Sequence, residues 1–276
     1  MYIGIIGLGS MGQMLVKGFC KSGVVTPGEL VVFNRTREKA ERLRREYPFA
    51  IASTAQEVCQ RADIVFICTK PLDVLPLLKT LDLPAEMHLV SVAAGVTLAD
   101  LEAVHAGPVS KVIPTVTSQE LRGVSLYACG RCVTPALRAD LLRLLTALGN
   151  AEEVSEESIE TATILTSSAP GLFAGILDAF ARAAVRQSPE LELDTARRML
   201  AETLMGTALL LENERLDFHR LIERVATKGG ITEEGLRVLD RTLPAAFDDL
   251  FAVTKAKHAL LKERLQQFSR NEKGDR

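Results

Sequence analysis

The glycine-rich stretch at residues 2–12 constrains the fold of this chain more than any other feature. The apolar residues Ile3–Ile6 predict a short buried strand, and Gly7, Gly9 and Gly12 follow it with the spacing G-x-G-x-x-G. Apolar residues after Gly12 recur at helical spacing, which predicts a helix directly after the turn. A glycine turn of this pattern between a strand and a helix is typical of dinucleotide-binding sites.

Each glycine of the pattern has its own physical role. Gly7 permits the tight turn, Gly9 lets the backbone approach a pyrophosphate, and Gly12 lets the helix pack close to the strand. The helix then directs its unbonded N–H groups and the positive end of its dipole at the phosphates. We therefore expect this turn to hold a cofactor through Gly7, Leu8, Gly9, Ser10, Met11 and Gly12.

The end of the second predicted strand, residues 29–33, indicates which dinucleotide binds. An acidic residue there would accept hydrogen bonds from the adenine ribose 2′-OH of NAD. This chain instead has the neutral Asn34 followed by Arg35, with Arg37 and Lys39 close behind. Such cations can pair with a 2′-phosphate, or they can simply solvate a surface helix. The pattern favours NADP(H) over NAD(H).

Strands and helices alternate over residues 1–154, which predicts a doubly wound α/β domain. The apolar strands predicted at 63–68, 88–92 and 109–113 suit a parallel sheet covered on both faces. Their carboxyl ends are expected on one edge of the sheet, where open parallel sheets bind ligands.

Residues 155–268 lack strand patterns and form a second, all-helical domain. Apolar residues cover most of the helix circumference at 196–211, and such a helix is buried on several sides. We predict that helices from two subunits pack together, in a homodimer or a higher homo-oligomer, although a central helix in a monomeric bundle is the alternative. The charged residues 269–276 are expected to be a disordered tail.

Composition excludes several classes of partner. The net charge of −2 leaves no basic surface for nucleic acid or an anionic membrane, so a small-molecule substrate is expected. The longest apolar runs, such as residues 89–96, are much shorter than the roughly 20 residues of a bilayer span. The N-terminus enters a core strand without a basic leader, which favours a cytoplasmic protein.

The cysteines and histidines do not predict a metal site. The chain has five cysteines, of which Cys129 and Cys132 form a C-x-x-C pair without a second Cys/His pair nearby. Reduced structural thiols are the simpler interpretation, and a redox pair is the alternative. The four histidines have no ligand spacing, so we predict no metal.

Six stretches of the chain carry a resemblance to a known family, namely the opening glycine motif, Asn34-Arg35-Thr36, Cys68-Thr69-Lys70-Pro71, residues 91–97, residues 163–170 and residues 225–236. In this order they resemble the 1-pyrroline-5-carboxylate reductase family, and residues 68–73 with Ile113-Pro114 also resemble its late-competence branch. The resemblance runs from residue 1 to about 260. It implies a Rossmann domain followed by a helical dimerisation domain, and the NADPH- or NADH-dependent reduction of the cyclic imine to L-proline.

The resemblance also implies roles for individual residues. Thr232 matches the threonine that contacts the ring nitrogen, Thr227 keeps a hydroxyl at a serine position, and Gly229, Gly230 and Ile231 match the loop whose amides bind the substrate carboxylate. An alternative is that Thr232 caps a helix. The implied cofactor contacts are Asn34, Arg35, Thr36, Cys68, Thr69, Lys70 and Pro71, with Ala93, Ala94 and Gly95 leaving space for the nicotinamide or its ribose.

Some positions depart from the family pattern. Residues 166–171 read Thr-Ser-Ser-Ala-Pro-Gly where the family has Ser-Gly-Ser-Gly-Pro-Ala, and Lys111 begins the segment that starts with arginine in the family. Lys228 replaces a proline beside the substrate loop, where it could face the substrate carboxylate or solvent. A non-catalytic NADP-binding regulatory relative is therefore one alternative. A β-hydroxyacid dehydrogenase is another, but no lysine lies between Lys111 and Lys228 to serve as its proton donor.

Overall fold

An eight-stranded sheet organises the first unit of the chain, residues 1–168 together with the residues from Thr254 onward. The computed structural model describes residues 1–274, except the side chains at 261, 265, 266 and 268–274. The strands are β1 (Ile3–Ile6), β2 (Leu30–Phe33), β3 (Ala50–Ile51), β4 (Ile64–Ile67), β5 (His88–Ser91), β6 (Val109–Ile113), β7 (Gly123–Cys129) and β8 (Gly149–Glu153).

The strand order is β3-β2-β1-β4-β5-β6-β7-β8. Strands β1 to β6 are parallel, as predicted, and the order reverses direction on either side of β1. That reversal is the topological switch point at which doubly wound sheets bind ligands. Strand β7 runs antiparallel to β6, so its carboxyl end lies at the opposite edge of the sheet.

Helices cover both faces of this sheet. They are α1 (Ser10–Ser22), α2 (Arg37–Arg44), α3 (Ala55–Arg61), α4 (Pro71–Leu78), α5 (Leu98–Glu102), α6 (Pro135–Thr146) and α7 (Ile159–Thr163), with 3-10 turns at Pro27–Glu29 and Val116–Glu120. Side chains alternate along each strand between two apolar clusters. Phe19 of α1 and Phe66 of β4 meet in one cluster with ring centroids 5.6 Å apart, while Ile67 and Val58 lie in the other. The predicted doubly wound fold is confirmed.

The second unit, residues 169–253, is entirely helical. It contains α8 (Ala169–Gln187), α9 (Leu193–Asn213), α10 (Phe218–Val225) and the first part of α11 (Ile231–Gly274). Helices α8 and α9 pack on one another, and Arg197 of α9 donates to Asp178 of α8 from Nε at 2.8 Å.

Large apolar side chains of this unit are exposed in the single chain. On α8, Phe173 and Phe180 are 54% and 62% exposed, and on α9, Met199 and Met205 are 58% and 55% exposed. The buried residues of these helices are small, namely Ala169, Ala181 and Ala196. A monomeric bundle would bury the large side chains, so the exposure favours the prediction that another copy covers them.

Helices α7 and α8 are joined by a π-helical turn at Ile164–Ser168 and form one helix over 29 residues, Ile159–Gln187. By length and composition this helix could cross a membrane, a feature that the search for apolar runs missed. It carries Asp178 and Arg182, whose Oδ2 and Nε atoms lie 2.7 Å apart. Charged pairs are costly in lipid and ordinary at a protein surface.

Two boundaries differ from the sequence analysis. The compact units divide after Ser168 rather than after residue 154, because α7 and the π-turn belong with the sheet. Helix α11 extends to Gly274 and so includes residues from 269 onward, where a disordered tail was expected. Residues 275 and 276 lie outside the described residues. A functional domain at 155–268 stays a prediction.

His88, at the start of β5, is a buried histidine of the sheet. It is 1% exposed, its Nε2 lies 2.8 Å from the Ser110 hydroxyl, and its Nδ1 has no hydrogen-bond partner among the described residues. Burial, and then the nearby charge of His105, lower the pKa of His88 to about 4. The folded protein therefore holds this ring neutral.

The pH dependence of stability should reveal this histidine. Because an unfolded histidine has a pKa of about 6.5, the unfolded chain binds more protons between pH about 6.5 and about 4. The neutral His88 therefore contributes about 3 kcal/mol to the free energy of unfolding. This contribution is fully present above pH about 6.5 and is lost as the pH falls through about 4. Urea denaturation across this range should show a shallower pH slope for His88→Leu than for wild type. Equal slopes in the variant and the wild type would contradict the assignment.

Candidate functional site

A cavity of about 450 Å³ opens at the carboxyl ends of β1, β2 and β4. The strand register explains why their ends meet, since Ile6 of β1 lies level with Phe33 of β2 and with Ile67 of β4. Nine of the predicted cofactor residues line the cavity: Gly7, Leu8, Gly9, Asn34, Arg35, Thr36, Cys68, Thr69 and Lys70.

The other predicted cofactor residues lie near the same edge without lining this cavity. Ser10, Met11 and Gly12 form the first turn of α1, and Pro71 is the first residue of α4. Ala93, Ala94 and Gly95 follow β5, whose end is level with that of β4.

The sequence analysis missed one wall of the cavity. This wall is formed by Asp73, Pro76 and Leu77 of α4. The signal was present, because Asp73, Pro76 and Leu77 recur at helical spacing after Lys70 and so share one helix face.

The three glycines of the turn meet different constraints. Gly7 has φ of +102°, and a Cβ there would lie 2.8 Å from the carbonyl oxygen of Cys68. A Cβ at Gly12 would overlap the carbonyl oxygen of Gly7. At Gly9 the nearest atom to an added Cβ is 3.8 Å away and φ is −71°. The fold therefore requires Gly7 and Gly12, whereas at Gly9 the chain itself leaves room that a close ligand could use.

The first turn of α1 presents free hydrogen-bond donors. Gly9 is the N-cap and offers no side chain, and the first turn carries no acidic residue. The N–H of Gln13 bonds to the carbonyl of Gly9, but those of Ser10, Met11 and Gly12 have no backbone acceptor among the described residues. Free N–H groups at a helix N-terminus bind phosphate.

Asn34 holds the glycine turn in place. Its Oδ1 accepts from the N–H of Leu8 at 2.8 Å, and its Nδ2 donates to the carbonyl of Thr36 at 2.7 Å. The N–H of Gly7 also bonds to the carbonyl of Phe33 at 2.8 Å. Sequence reasoning treated Asn34 as a neutral residue replacing an acid, and the structure adds that its amide is occupied in positioning the turn.

The cations after β2 divide into two groups. Arg35 and Lys39 line the cavity and have no acidic partner in the described part of the chain. Arg37 does not line the cavity, and its Nε pairs with Glu41 at 2.9 Å on the surface of α2. Of the cations expected from the sequence, Arg35 and Lys39 therefore line the cavity and Arg37 does not.

The floor of the cavity is neutral. Burial raises the pKa of the Cys68 thiol well above its usual range, so the thiol stays protonated. The buried Thr69 Oγ1 has no hydrogen-bond partner among the described residues. A buried hydroxyl without a partner beside a cavity indicates a ligand that supplies one.

The second unit contains the other predicted site, the loop at 226–230 between α10 and α11. Gly229 has φ of +75°, and the N–H of Gly230 bonds to the carbonyl of Thr227 at 2.8 Å. The N–H of Gly229 donates to Glu233 Oε2 at 2.6 Å. Ile231 is the first residue of α11, so the capping position belongs to Gly230 rather than to Thr232.

The hydroxyls of this loop are available. Thr232 is exposed in the first turn of α11, and its hydroxyl makes no hydrogen bond in the part of the chain that the structure describes; the same holds for Thr227. Lys228 is exposed as well. The alternative in which Thr232 caps the helix is therefore wrong, because the helix begins one residue earlier.

The segment that departs from the family pattern at 166–171 forms the end of the π-turn and the start of α8. The Thr166 hydroxyl donates to the carbonyl of Ala162 at 3.1 Å, and Ser167 and Ser168 are half-buried. A π-turn inside a helix is frequent at functional sites. Pro170 lies in the first turn of α8, directly after this π-turn.

Metal ligands do not cluster in the described residues, where no group of three or more His, Cys, Asp or Glu side chains could hold an ion. All five cysteines are free, with Cys129 half-buried and Cys132 exposed.

Family models match both halves of the chain. One described as NADP oxidoreductase coenzyme F420-dependent matches residues 2–95, and one described as pyrroline-5-carboxylate reductase dimerisation matches residues 156–261. The first match contains the glycine turn and the second contains the loop at 226–230.

Known proteins resemble the chain over almost its whole length. It is 37% identical over 268 residues to pyrroline-5-carboxylate reductase 3 of Bacillus subtilis, covering 95% of this chain and 97% of that protein. It is 31% identical to ComE operon protein 4 of the same organism, covering 94% and 95%. The crystal structure of 1-pyrroline-5-carboxylate reductase from Streptococcus pyogenes superposes with a TM-score of 0.80 at 26% identity, covering 94% and 98%.

Replacing Arg35 should separate the two nicotinamide cofactors. Arg35→Ala removes a cation that can pair with a 2′-phosphate, so we expect the Kd for NADPH to rise about 10- to 100-fold and that for NADH to change little. Fluorescence titration with each cofactor measures this. Arg37→Ala is the matched control, because Arg37 is paired with Glu41 outside the cavity, and it should leave both constants unchanged. Equal losses for NADPH and NADH in Arg35→Ala would contradict a phosphate role.

Replacing Gly9 should affect binding without affecting the fold. The chain has room for a Cβ at this position, so Gly9→Ala should change the free energy of unfolding by less than about 1 kcal/mol. The added methyl group would meet the pyrophosphate, and we expect the Kd for NADPH to rise at least about 10-fold. Gly7→Ala should instead lower the thermal midpoint, because it forces a non-glycine residue to φ of +102°. Unchanged NADPH binding by Gly9→Ala would show that the phosphates lie elsewhere.

Proposed function

The chain belongs to the pyrroline-5-carboxylate reductase family, and on this premise we propose which of its residues hold the cofactor and the substrate. It is an NAD(P)H-dependent oxidoreductase that acts on a C=N bond, reducing 1-pyrroline-5-carboxylate to L-proline in proline biosynthesis. The observation that carries this conclusion is the 37% identity over 95% of the chain. The family models, in addition, match the glycine turn and the loop at 226–230.

The residues around the cavity fit NADP(H). The free N–H groups of the first turn of α1, together with the absence of a side chain at Gly9, suit the pyrophosphate. Arg35 and Lys39 suit the 2′-phosphate, and the unpartnered hydroxyl of Thr69 suits a polar group of the cofactor. Lys70 adds a cation at the same edge.

The small residues Ala93, Ala94 and Gly95 leave space beside the end of β5 for the nicotinamide or its ribose. Bound NADPH supplies a hydride from its nicotinamide ring. The glycine turn, held by Asn34, contributes orientation, and most of the catalytic effect in such a reaction comes from holding the reactants in place.

The loop at 226–230 and the first residues of α11 suit the substrate. We assign the substrate carboxylate to the amides of Gly229, Gly230 and Ile231, because N–H groups in a glycine turn at a helix N-terminus form an anion site. The N–H of Ile231 has no acceptor among the described residues, whereas those of Gly230 and Gly229 are bonded to Thr227 and Glu233 and must exchange these partners for the substrate. Thr232 offers its free hydroxyl to the ring nitrogen, which becomes an amine nitrogen as the C=N bond is reduced. Thr227 offers a second hydroxyl on the same loop.

The region 155–268 acts as the dimerisation and substrate domain in this proposal. The exposed apolar residues of α8 and α9 supply the surface that a second copy covers, which makes the chain a homo-oligomer built from homodimers. The substrate is a small molecule, and the enzyme works in the cytoplasm without nucleic-acid or membrane partners.

A regulatory relative without catalysis is the second candidate, and the 31% identity to ComE operon protein 4 is the observation that favours it. The identity to pyrroline-5-carboxylate reductase 3 is higher, at 37%.

Oxidation of NADPH in the presence of 1-pyrroline-5-carboxylate tests the function. We expect turnover by the wild type and a loss of about 10- to 100-fold in kcat for Thr232→Val, because one hydrogen bond to a polar group is removed. Thr232→Ser keeps the hydroxyl and should retain most of the activity. Cofactor affinity should stay the same in both variants. NADPH binding without any turnover by the wild type would instead support the regulatory candidate.

A further inference from the structure

The loop that we assign to the substrate carboxylate already contains a carboxylate of the chain. Oε2 of Glu233 accepts the N–H of Gly229 at 2.6 Å, and Gly229 is one of the amide donors assigned to the substrate. An amide N–H has a single proton to donate. The side chain of Glu233 and the substrate carboxylate therefore compete for the same donor.

The other oxygen of Glu233 has a separate partner. Arg237, one helical turn further along α11, approaches Oε1 with Nη2 at 3.3 Å. The side chain of Glu233 is 32% exposed. If its Oε2 leaves Gly229, the carboxylate still keeps Arg237, so the displacement leaves no unpaired charge behind.

The neighbouring Glu234 has a different environment. It pairs with Nη1 of the same Arg237 at 2.7 Å, is 64% exposed, and makes no hydrogen bond to Gly229. The chain thus offers two adjacent glutamates on one arginine, of which Glu233 alone reaches the loop in the described residues.

We propose that Glu233 determines the substrate specificity of this loop, by occupying the Gly229 amide until a substrate carboxylate displaces it. The inference rests on the proposed function. Its consequence is selective, because an imine with a carboxylate must displace Glu233 and approach its negative charge. A cyclic imine without a carboxylate, such as 1-pyrroline, does not use the amide and binds with Glu233 in place. Glu233 thereby lowers the factor by which the enzyme prefers the carboxylated ring over the ring without a carboxylate.

The test compares two substrates and two matched variants. Glu233→Gln keeps an oxygen that can accept the Gly229 N–H but removes the charge, and Glu234→Gln removes a charge that does not touch the loop. We measure kcat/KM for 1-pyrroline-5-carboxylate and for 1-pyrroline with saturating NADPH. The kcat/KM for 1-pyrroline-5-carboxylate divided by that for 1-pyrroline should rise about 10-fold in Glu233→Gln, mainly through a lower KM for the carboxylated imine. The same ratio should stay at the wild-type value in Glu234→Gln.

The remaining outcomes distinguish a failure of the inference about Glu233 from a failure of the proposed function. An unchanged ratio in Glu233→Gln, with or without a lower thermal midpoint, would show that Glu233 only caps α11 and would overturn the inference while leaving the function intact. Calorimetric titration of the NADP-loaded protein with L-proline adds a readout that needs no turnover, and Glu233→Gln should bind it about 10-fold more tightly. A wild type that reduces neither imine would refute the proposed function, and tighter L-proline binding by Glu233→Gln would then still support the displacement. Equal L-proline affinity in the variant and the wild type, or binding by neither, would overturn the inference that the substrate carboxylate displaces Glu233.

Discussion

The parallel pairing of β1 with β2 and β4 is the constraint on which the cofactor cavity depends. Because Ile6 is level with both Phe33 and Ile67, the residues after all three strands emerge together. Two backbone bonds of 2.8 Å extend this pairing past the strand ends, from Gly7 to Phe33 and from Cys68 to Ile6. A shift of one residue in either pairing would move the loops apart and also turn the buried side chains to the wrong face.

Some positions of the glycine turn are constrained by the chain's own packing, and another is accessible to a ligand. Gly7 and Gly12 are required because side chains there would meet the chain's own backbone, whereas a Cβ at Gly9 would make only an ordinary contact, 3.8 Å from the carbonyl oxygen of Cys68. Asn34 joins the turn to the loop after β2, so the donors and the cations of the cavity are held by one hydrogen-bonded unit. Catalysis by positioning needs such a preorganised frame.

The helical unit has a different source of stability. Its helices place alanines inside and large apolar side chains outside, such as Phe173 and Met199, so the single chain buries little of the surface that would stabilise it. Hydrophobic burial is the main favourable term in folding and association, and here much of it is left for contact with another copy. The loop at 226–230 satisfies two amides within the chain, that of Gly229 through Glu233 and that of Gly230 through the carbonyl of Thr227.

The sequence by itself determined the local features that follow from the chemistry of neighbouring residues. These include the strand, glycine turn and helix of residues 3–22, the doubly wound alternation up to residue 154, and the cation group after β2. Only the tertiary structure decided which groups are free and which are already used. It pairs Arg37 with Glu41, commits the amide of Asn34 to the turn, starts α11 at Ile231, and leaves the Thr232 hydroxyl unbonded. The reason is physical, since a side chain's availability depends on partners that are brought close by the folded backbone and that a residue pattern does not reveal.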